Sequence, residues 1–214
     1  MPDTQQVKSR KRVQDHGEVF TAEREVNAML DLVKGETERI DSRFLEPACG
    51  DGNFLAEILR RKLKVCRAHV QQKKYTQLEY EKNLILAVSS IYGIELLVDN
   101  ATQCRERLYH IVEEEYRSLY KNSVKAECLQ SVQYLLSKNI IIGNALDYHR
   151  VDEPDKWITI SEWSFIGNGM INRRDFQFSD LVGDSQENEL FTDQPCQTFE
   201  PVHFLKLNPQ SYGE

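Results

Sequence analysis

Glu46, Gly50, Asp51 and Gly52, within Phe44-Leu45-Glu46-Pro47-Ala48-Cys49-Gly50-Asp51-Gly52-Asn53-Phe54-Leu55, are the residues here most capable of chemistry. Gly50 and Gly52 have no Cβ, so a ligand can come close to the backbone, while Glu46 and Asp51 place acceptors at the rim. The loop carries no Lys or Arg and matches neither GxxxxGK[ST] nor GxGxxG, which argues against a phosphate site. Two carboxylates suit a ligand with a positive centre, an ammonium and free hydroxyls. The alternative is a strand-to-helix connection in which the glycines serve turn chemistry alone.

The elements needed to hold such a loop are legible around it. Val26, Met29, Leu30 and Val33 recur at helical spacing, within a helical run from Ala22 to Lys34. Phe44-Leu45 begins a first strand, and Phe54, Leu55, Ile58 and Leu59 mark the helix after the loop. Leu78, Leu84, Ile85 and Val88 add a helix over residues 75–89, ahead of a second strand Ile91-Tyr92-Gly93-Ile94-Glu95-Leu96. Ala101, Cys104, Leu108, Ile111 and Val112 predict an amphipathic crossover helix over residues 98–120. Another, over about 124–137, leads to a third strand, Ile140-Ile141-Ile142-Gly143-Asn144-Ala145-Leu146. Alternating units of this kind predict an α/β fold, a mostly parallel sheet with helices on both faces. Trp157-Ile158-Thr159-Ile160 and Trp163-Ser164-Phe165-Ile166 read either as two hairpin arms or as one interrupted strand. Both tryptophans read as core or rim packing rather than base stacking.

In order and spacing these motifs resemble the adenine-N6 DNA methyltransferases of restriction-modification systems, over about residues 15–150. His16-Gly17-Glu18-Val19-Phe20-Thr21 resembles the family's GEVFTP segment, the glycine loop its LEPACGDGxFL, and the strands ending at Glu95 and at Gly143-Asn144 its second and third cofactor motifs. The resemblance implies a Rossmann-like fold that binds S-adenosylmethionine. Its implied cofactor residues are Phe20 and Thr21; Glu46, Pro47, Ala48, Gly50, Asp51, Gly52, Asn53 and Phe54; Glu95 and Leu96, with Glu95 on the ribose hydroxyls; and Asn144, Ala145 and Leu146, with Asn144 on the adenine edge. The family's IIGNPPY motif has its nearest match in Ser164-Phe165-Ile166-Gly167-Asn168-Gly169-Met170-Ile171, where Gly-Met-Ile replaces Pro-Pro-Tyr. Asn168 and Gly169 are the implied catalytic pair, and Arg173 and Arg174, just beyond them, the candidate substrate contacts. Without both prolines and the ring, the acceptor is less firmly fixed and base stacking, worth about 1–3 kcal/mol, is lost.

Composition bounds the function. A chain of 214 residues with 40% hydrophobic content supports one domain, over about 15–182, with a mobile basic arm over 1–14 and an acidic, irregular tail over 183–214. A net charge of −7 disfavours strong unaided binding to a polyanion, so the expected DNA substrate calls for another subunit that supplies target recognition. Lys8 to Arg12 and Arg60 to Lys64 read as a basic arm and a solvated helix end. Five scattered cysteines and five histidines form no metal pattern, and there is no signal peptide or membrane-length apolar run, so a cytoplasmic protein is expected. Two alternatives stay open: a catalytically inactive cofactor-binding or assembly subunit, and a methyltransferase acting on a protein or small molecule.

Overall fold

Residues 11, 12, 14, 21–182 and 194–214 are described by a computed structural model. The basic arm and the acidic stretch before Gln194 therefore fall mostly outside the described residues, as does Phe20. Helix α1 (Glu23–Asp31) and the short α2 (Lys34–Thr37) precede strand β1 (Phe44–Glu46). Next come α3 (Asn53–Gln71), α4 (Gln77–Ser89) and β2 (Ile91–Glu95), then α5 (Val98–Tyr120), α6 (Ala126–Asn139) and β3 (Ile140–Asn144). The sheet has order β1-β2-β3-β4, with β1, β2 and β3 parallel and β4 (His149–Arg150) antiparallel to β3, so it is mixed.

Side-chain periodicity explains the helices. Along α5, Ala101, Cys104, Leu108, Val112 and Tyr116 are buried at spacings of three and four, while the charged residues stay on the other side. Helix α4 starts at a capping box, in which Thr76 Oγ1 accepts from the Glu79 N–H and the Glu79 carboxylate accepts from the Thr76 N–H. Helix α6 runs into β3 without a loop, and Asn139 secures the junction. Its amide donates to Ile91 O at 3.0 Å and its carbonyl accepts from the Trp163 indole at 2.9 Å.

The expectation of helices on both faces does not hold for the long helices, which all lie on one. Ile91, Ile140 and Ile142 join Leu55, Leu84, Cys104 and Leu135 of the four long helices in the main core. Ile94 and Ile141, which point the other way, pack on Ile158 and Phe178 in a smaller core. The chain steps from β1 to β2 to β3 in one direction, so crossovers of one hand leave their helices on one face. An antiparallel hairpin, β5 (Thr159–Gly167) and β6 (Met170–Gln177), covers the other face with the short α7 (Phe178–Val182). The two apolar stretches from Trp157 to Ile166 thus contribute to one strand, with Trp163 buried and Trp157 exposed against His149.

Residues 194–214 are not the irregular tail expected from composition. Strands β7 (Gln197–Thr198) and β8 (Val202–His203) pair with β6, and Phe204 and Leu207 are buried in the main core. Glu214 pairs with Arg173 at 2.7 Å and with Lys138 at 2.5 Å. Strands of two residues carry no readable alternation, so composition is the dominant signal in this stretch.

Candidate cofactor crevice

The carboxyl ends of β1, β2 and β3 open into one crevice of about 520 Å³. Thr21, Glu46, Pro47, Ala48, Gly50, Asp51, Asn53 and Phe54 line one side. Glu95, Leu96, Asn144, Ala145 and Leu146 line the other, so the residues singled out from four separate stretches of sequence meet in space. Gly52 lies just behind the wall. Its φ of +89° is left-handed, and a Cβ there would sit 2.6 Å from Cys104 Sγ, so α5 packs directly against the turn.

Glu95 organises the crevice. The residue is 7% exposed. One oxygen accepts from the Gly50 N–H at 2.8 Å, and the other from the Leu97 N–H at 3.0 Å and the Asn100 amide at 3.3 Å. These donors hold the glycine loop to the end of β2 and offset the cost of burying the charge. An ionised carboxylate offers about four lone-pair sites, so one acceptor position stays available to a hydroxyl.

Asp51 Oδ1 is buried and accepts no hydrogen bond, with the Arg107 guanidinium 3.4 Å away as an electrostatic neighbour. Arg107 also donates to Asn53 Oδ1 at 2.6 Å, tying the loop to α5. Burial pushes the Glu46 carboxyl above the usual carboxylate range, against the opposing effect of the Ala48 N–H. The lining contains no Lys or Arg among the described residues. Acceptors with an unfilled valence, and no cation among the described lining residues, fit a positively charged, hydroxyl-bearing ligand better than a phosphate, with Arg107 standing behind Asp51.

Asn144 reaches the crevice with its side chain already engaged. Its oxygen accepts from the Leu146 N–H at 3.0 Å, and its amide donates to Asp147 at 2.7 Å, an Asx turn that shapes the Ala145-Leu146 segment. Sequence reasoning missed Cys49, Leu97, Asn100 and Gly143 in the lining, and Arg107 beside it. Asn100 lies in the first turn of the helix after Glu95 and could have been found by that spacing; Arg107 carries no local signal, because its partners are more than fifty residues away in the chain.

The implied catalytic pair is placed elsewhere. Strand β5 starts beside Tyr148, past the carboxyl end of β3, and passes Asn139 at the amino end before reaching Gly167. Asn168 and Gly169 therefore form the hairpin turn at the end of the sheet opposite the crevice, with φ of +48° and +72°. Gly169 faces His203 and Phe204 there. Neither Arg173 nor Arg174 reaches the crevice either. Arg173 is buried, donates to Asp175, Glu214 and the Tyr134 hydroxyl, and lies 4.2 Å over the Phe199 ring. Burial pulls its pKa down, but the two carboxylates outweigh this and the guanidinium stays charged. Arg174, on the opposite face of the strand, is paired with Glu162.

The sequence matches the family described as MmeI, DNA-methyltransferase domain, over residues 9–175 of the 214. The chain belongs to this family. Membership bears out the resemblance to the DNA methyltransferases of restriction-modification systems, and it fixes a DNA-methyltransferase-like role with DNA as the substrate. The matched span contains the whole crevice and ends within β6. No curated protein and no solved structure matched the chain. Among the described residues no helix is long and apolar enough to cross a membrane, and no group of three His, Cys, Asp or Glu side chains is placed to hold a metal ion.

Proposed function

We propose that the crevice binds S-adenosylmethionine and that the chain serves methyl transfer to adenine N6 in DNA, within a restriction-modification or phage-defence system in the cytoplasm. The observation that carries this reading is the meeting of Glu46, Asp51 and Glu95 in a crevice with no basic side chain among its described lining residues, at the ends of three parallel strands. Asp51 and Glu46 would face the amino-acid end of the ligand, Glu95 the ribose hydroxyls, and the turn at Asn144 to Leu146 the adenine. Phe20 and Thr21 are the proposed cover over the methionine end, of which only Thr21 is among the described residues. Bound S-adenosylmethionine supplies an electrophilic methyl group on a sulfonium.

An adenine amino group is a weak nucleophile and needs acceptors that hold it in line. Asn168 and Gly169 lie at the wrong end of the sheet to provide them. We therefore propose that this chain supplies the cofactor half of the reaction and that another polypeptide, which also recognises the target, supplies the acceptor half. The same placement favours, as a second reading, a cofactor-binding subunit with no transfer activity of its own.

Calorimetry with S-adenosylmethionine tests the first step. The wild type should bind, and Asp51→Ala should weaken binding at least tenfold; equal affinity in both would remove Asp51 from the site. Tritiated cofactor and unmodified genomic DNA then separate the readings. Label in DNA with the chain alone would restore an acceptor site within it, and label in a protein or metabolite fraction would change the substrate.

A further inference from the structure

We infer that Arg12 is a positioning residue for the crevice: it holds the Asn100 side chain in the orientation that donates to Glu95, and so fixes which oxygen of Glu95 meets a hydroxyl of the ligand. This inference rests on the reading of the crevice as a cofactor site and adds to it a residue from outside the lining.

From its place in the run Lys8 to Arg12, Arg12 reads as part of a basic arm, yet its guanidinium is engaged within the protein. One terminal nitrogen donates to Asp99 Oδ2 at 2.8 Å, and the other donates to Asp99 Oδ1 at 3.2 Å and to Asn100 Oδ1 at 3.3 Å. Two bonds to one carboxylate set the plane of the fork, which a point charge would leave undefined. The third bond therefore reaches Asn100 from a fixed direction. Asp99 and Asn100 are neighbours in the first turn of α5, the turn that follows the end of β2. Asp99 also neutralises Arg12, so the clamp does not repel a cationic ligand.

Asn100 is 1% exposed and lines the crevice. A guanidinium only donates and an ionised carboxylate only accepts, so an amide between them satisfies both in one orientation, oxygen toward Arg12 and nitrogen toward Glu95. Its Nδ2 donates to Glu95 Oε1 at 3.3 Å. Turned over, the amide would set donor against donor at one end and acceptor against acceptor at the other.

That orientation decides what Glu95 offers. Oε1 accepts from both the Leu97 N–H and Asn100, which fill its two lone pairs, whereas Oε2 accepts from the Gly50 N–H and, among the described residues, keeps one position open. A ligand hydroxyl is thus directed to Oε2, the oxygen that also holds the glycine loop. Without Arg12 the amide is free to turn, Oε1 becomes a second acceptor, and the hydroxyl has no single place to dock.

The test titrates the full chain by calorimetry with S-adenosylmethionine and with its 2′,3′-dideoxy analogue, as wild type and as Arg12→Met. The Arg12 and Asp99 side chains are 26% and 48% exposed, and surface ion pairs contribute little to stability, so the variant folds. Arg12→Met should bind S-adenosylmethionine about fivefold more weakly, the net worth of one hydrogen bond, and the dideoxy analogue as the wild type does. Equal weakening for both ligands would make Arg12 a structural residue only and overturn the inference, and so would unchanged affinity for both. A second readout needs no ligand. The Asn100 side-chain amide, identified in nitrogen-15 spectra by its loss in Asn100→Ala, should exchange with solvent at least tenfold faster in Arg12→Met, and unchanged exchange would overturn the inference as well. The two levels fail differently. A wild type that binds neither ligand ends the crevice reading and the inference together, while wild-type binding that Arg12→Met leaves untouched ends the inference alone.

Discussion

Replacing Glu95 by Gln is the sharpest probe of how the crevice is held. The carboxylate accepts from the Leu97 N–H and the Asn100 amide on one oxygen and from the Gly50 N–H on the other. The Gln amide has one acceptor oxygen. Placed where it keeps Leu97 and Asn100, it turns its NH2 group toward the Gly50 N–H, donor against donor at a separation that was 2.8 Å. The loss of a charge-assisted hydrogen bond is worth about 1.5–3 kcal/mol, and an unmet buried donor adds about 1–3 kcal/mol before the loop relaxes. A net loss of about 3 kcal/mol is expected, which for a chain of this length lowers Tm by roughly 6–12 °C. Scanning calorimetry reads that shift, and titration with S-adenosylmethionine should show at least a tenfold weaker complex, because the Gly50 backbone is displaced. A Glu95→Gln variant with unchanged Tm and unchanged affinity would refute the claim that Glu95 anchors the loop.

Two further predictions concern groups buried away from the crevice. Lys62 is fully buried and donates to Ile40 O at 3.1 Å and also to Ser42 O and Ser90 Oγ; burial holds its pKa down to about 7 against a usual 10.5. Between those values the unfolded chain keeps the proton and the folded one has lost it, so this group makes stability rise with pH by about 1.4 kcal/mol per unit. Below pH 7 both states are protonated and the slope vanishes. Urea unfolding of wild type and Lys62→Met from pH 7 to 9 should show the rise only in the wild type, and parallel curves would mean that Lys62 titrates normally. Arg173→Ala leaves the buried Asp175 carboxylate without its cation beside a buried gap, while Glu214 keeps Lys138, so it should cost about 3–5 kcal/mol of stability in denaturant unfolding while leaving cofactor affinity intact. Weakened DNA binding at full stability would return Arg173 to the substrate surface.

The crevice was legible because its parts are contiguous words. A strand that ends in an acid and a glycine turn that opens a helix each keep their meaning within a dozen residues, and a parallel sheet gathers strand ends without further instruction. Helices α4, α5 and α6 were equally plain from the spacing of their buried residues. What failed was information about partners. Gly-Asn closes a parallel strand at Asn144 and turns a hairpin at Asn168, and the dipeptide reads the same in both places. Arg173 and Arg174 looked like one basic patch, yet period-two alternation sends them to opposite faces of β6, where Arg173 meets Asp175 and the distant Glu214 and Arg174 meets Glu162 across the hairpin. The one-sided helix layer follows from strand order, which no local pattern encodes.

The loop-free junction between α6 and β3 gives the protein a single stiff lever. Asn139 fastens its midpoint to β2 and β5, Tyr134 on its helical arm stacks against Tyr212, and the tip of its strand arm is Asn144 at the crevice. No flexible segment lies along this path to absorb a displacement. Whatever tilts the helix near Tyr134 must move the crevice floor, so crevice shape and the packing of the chain's last residues are mechanically one variable.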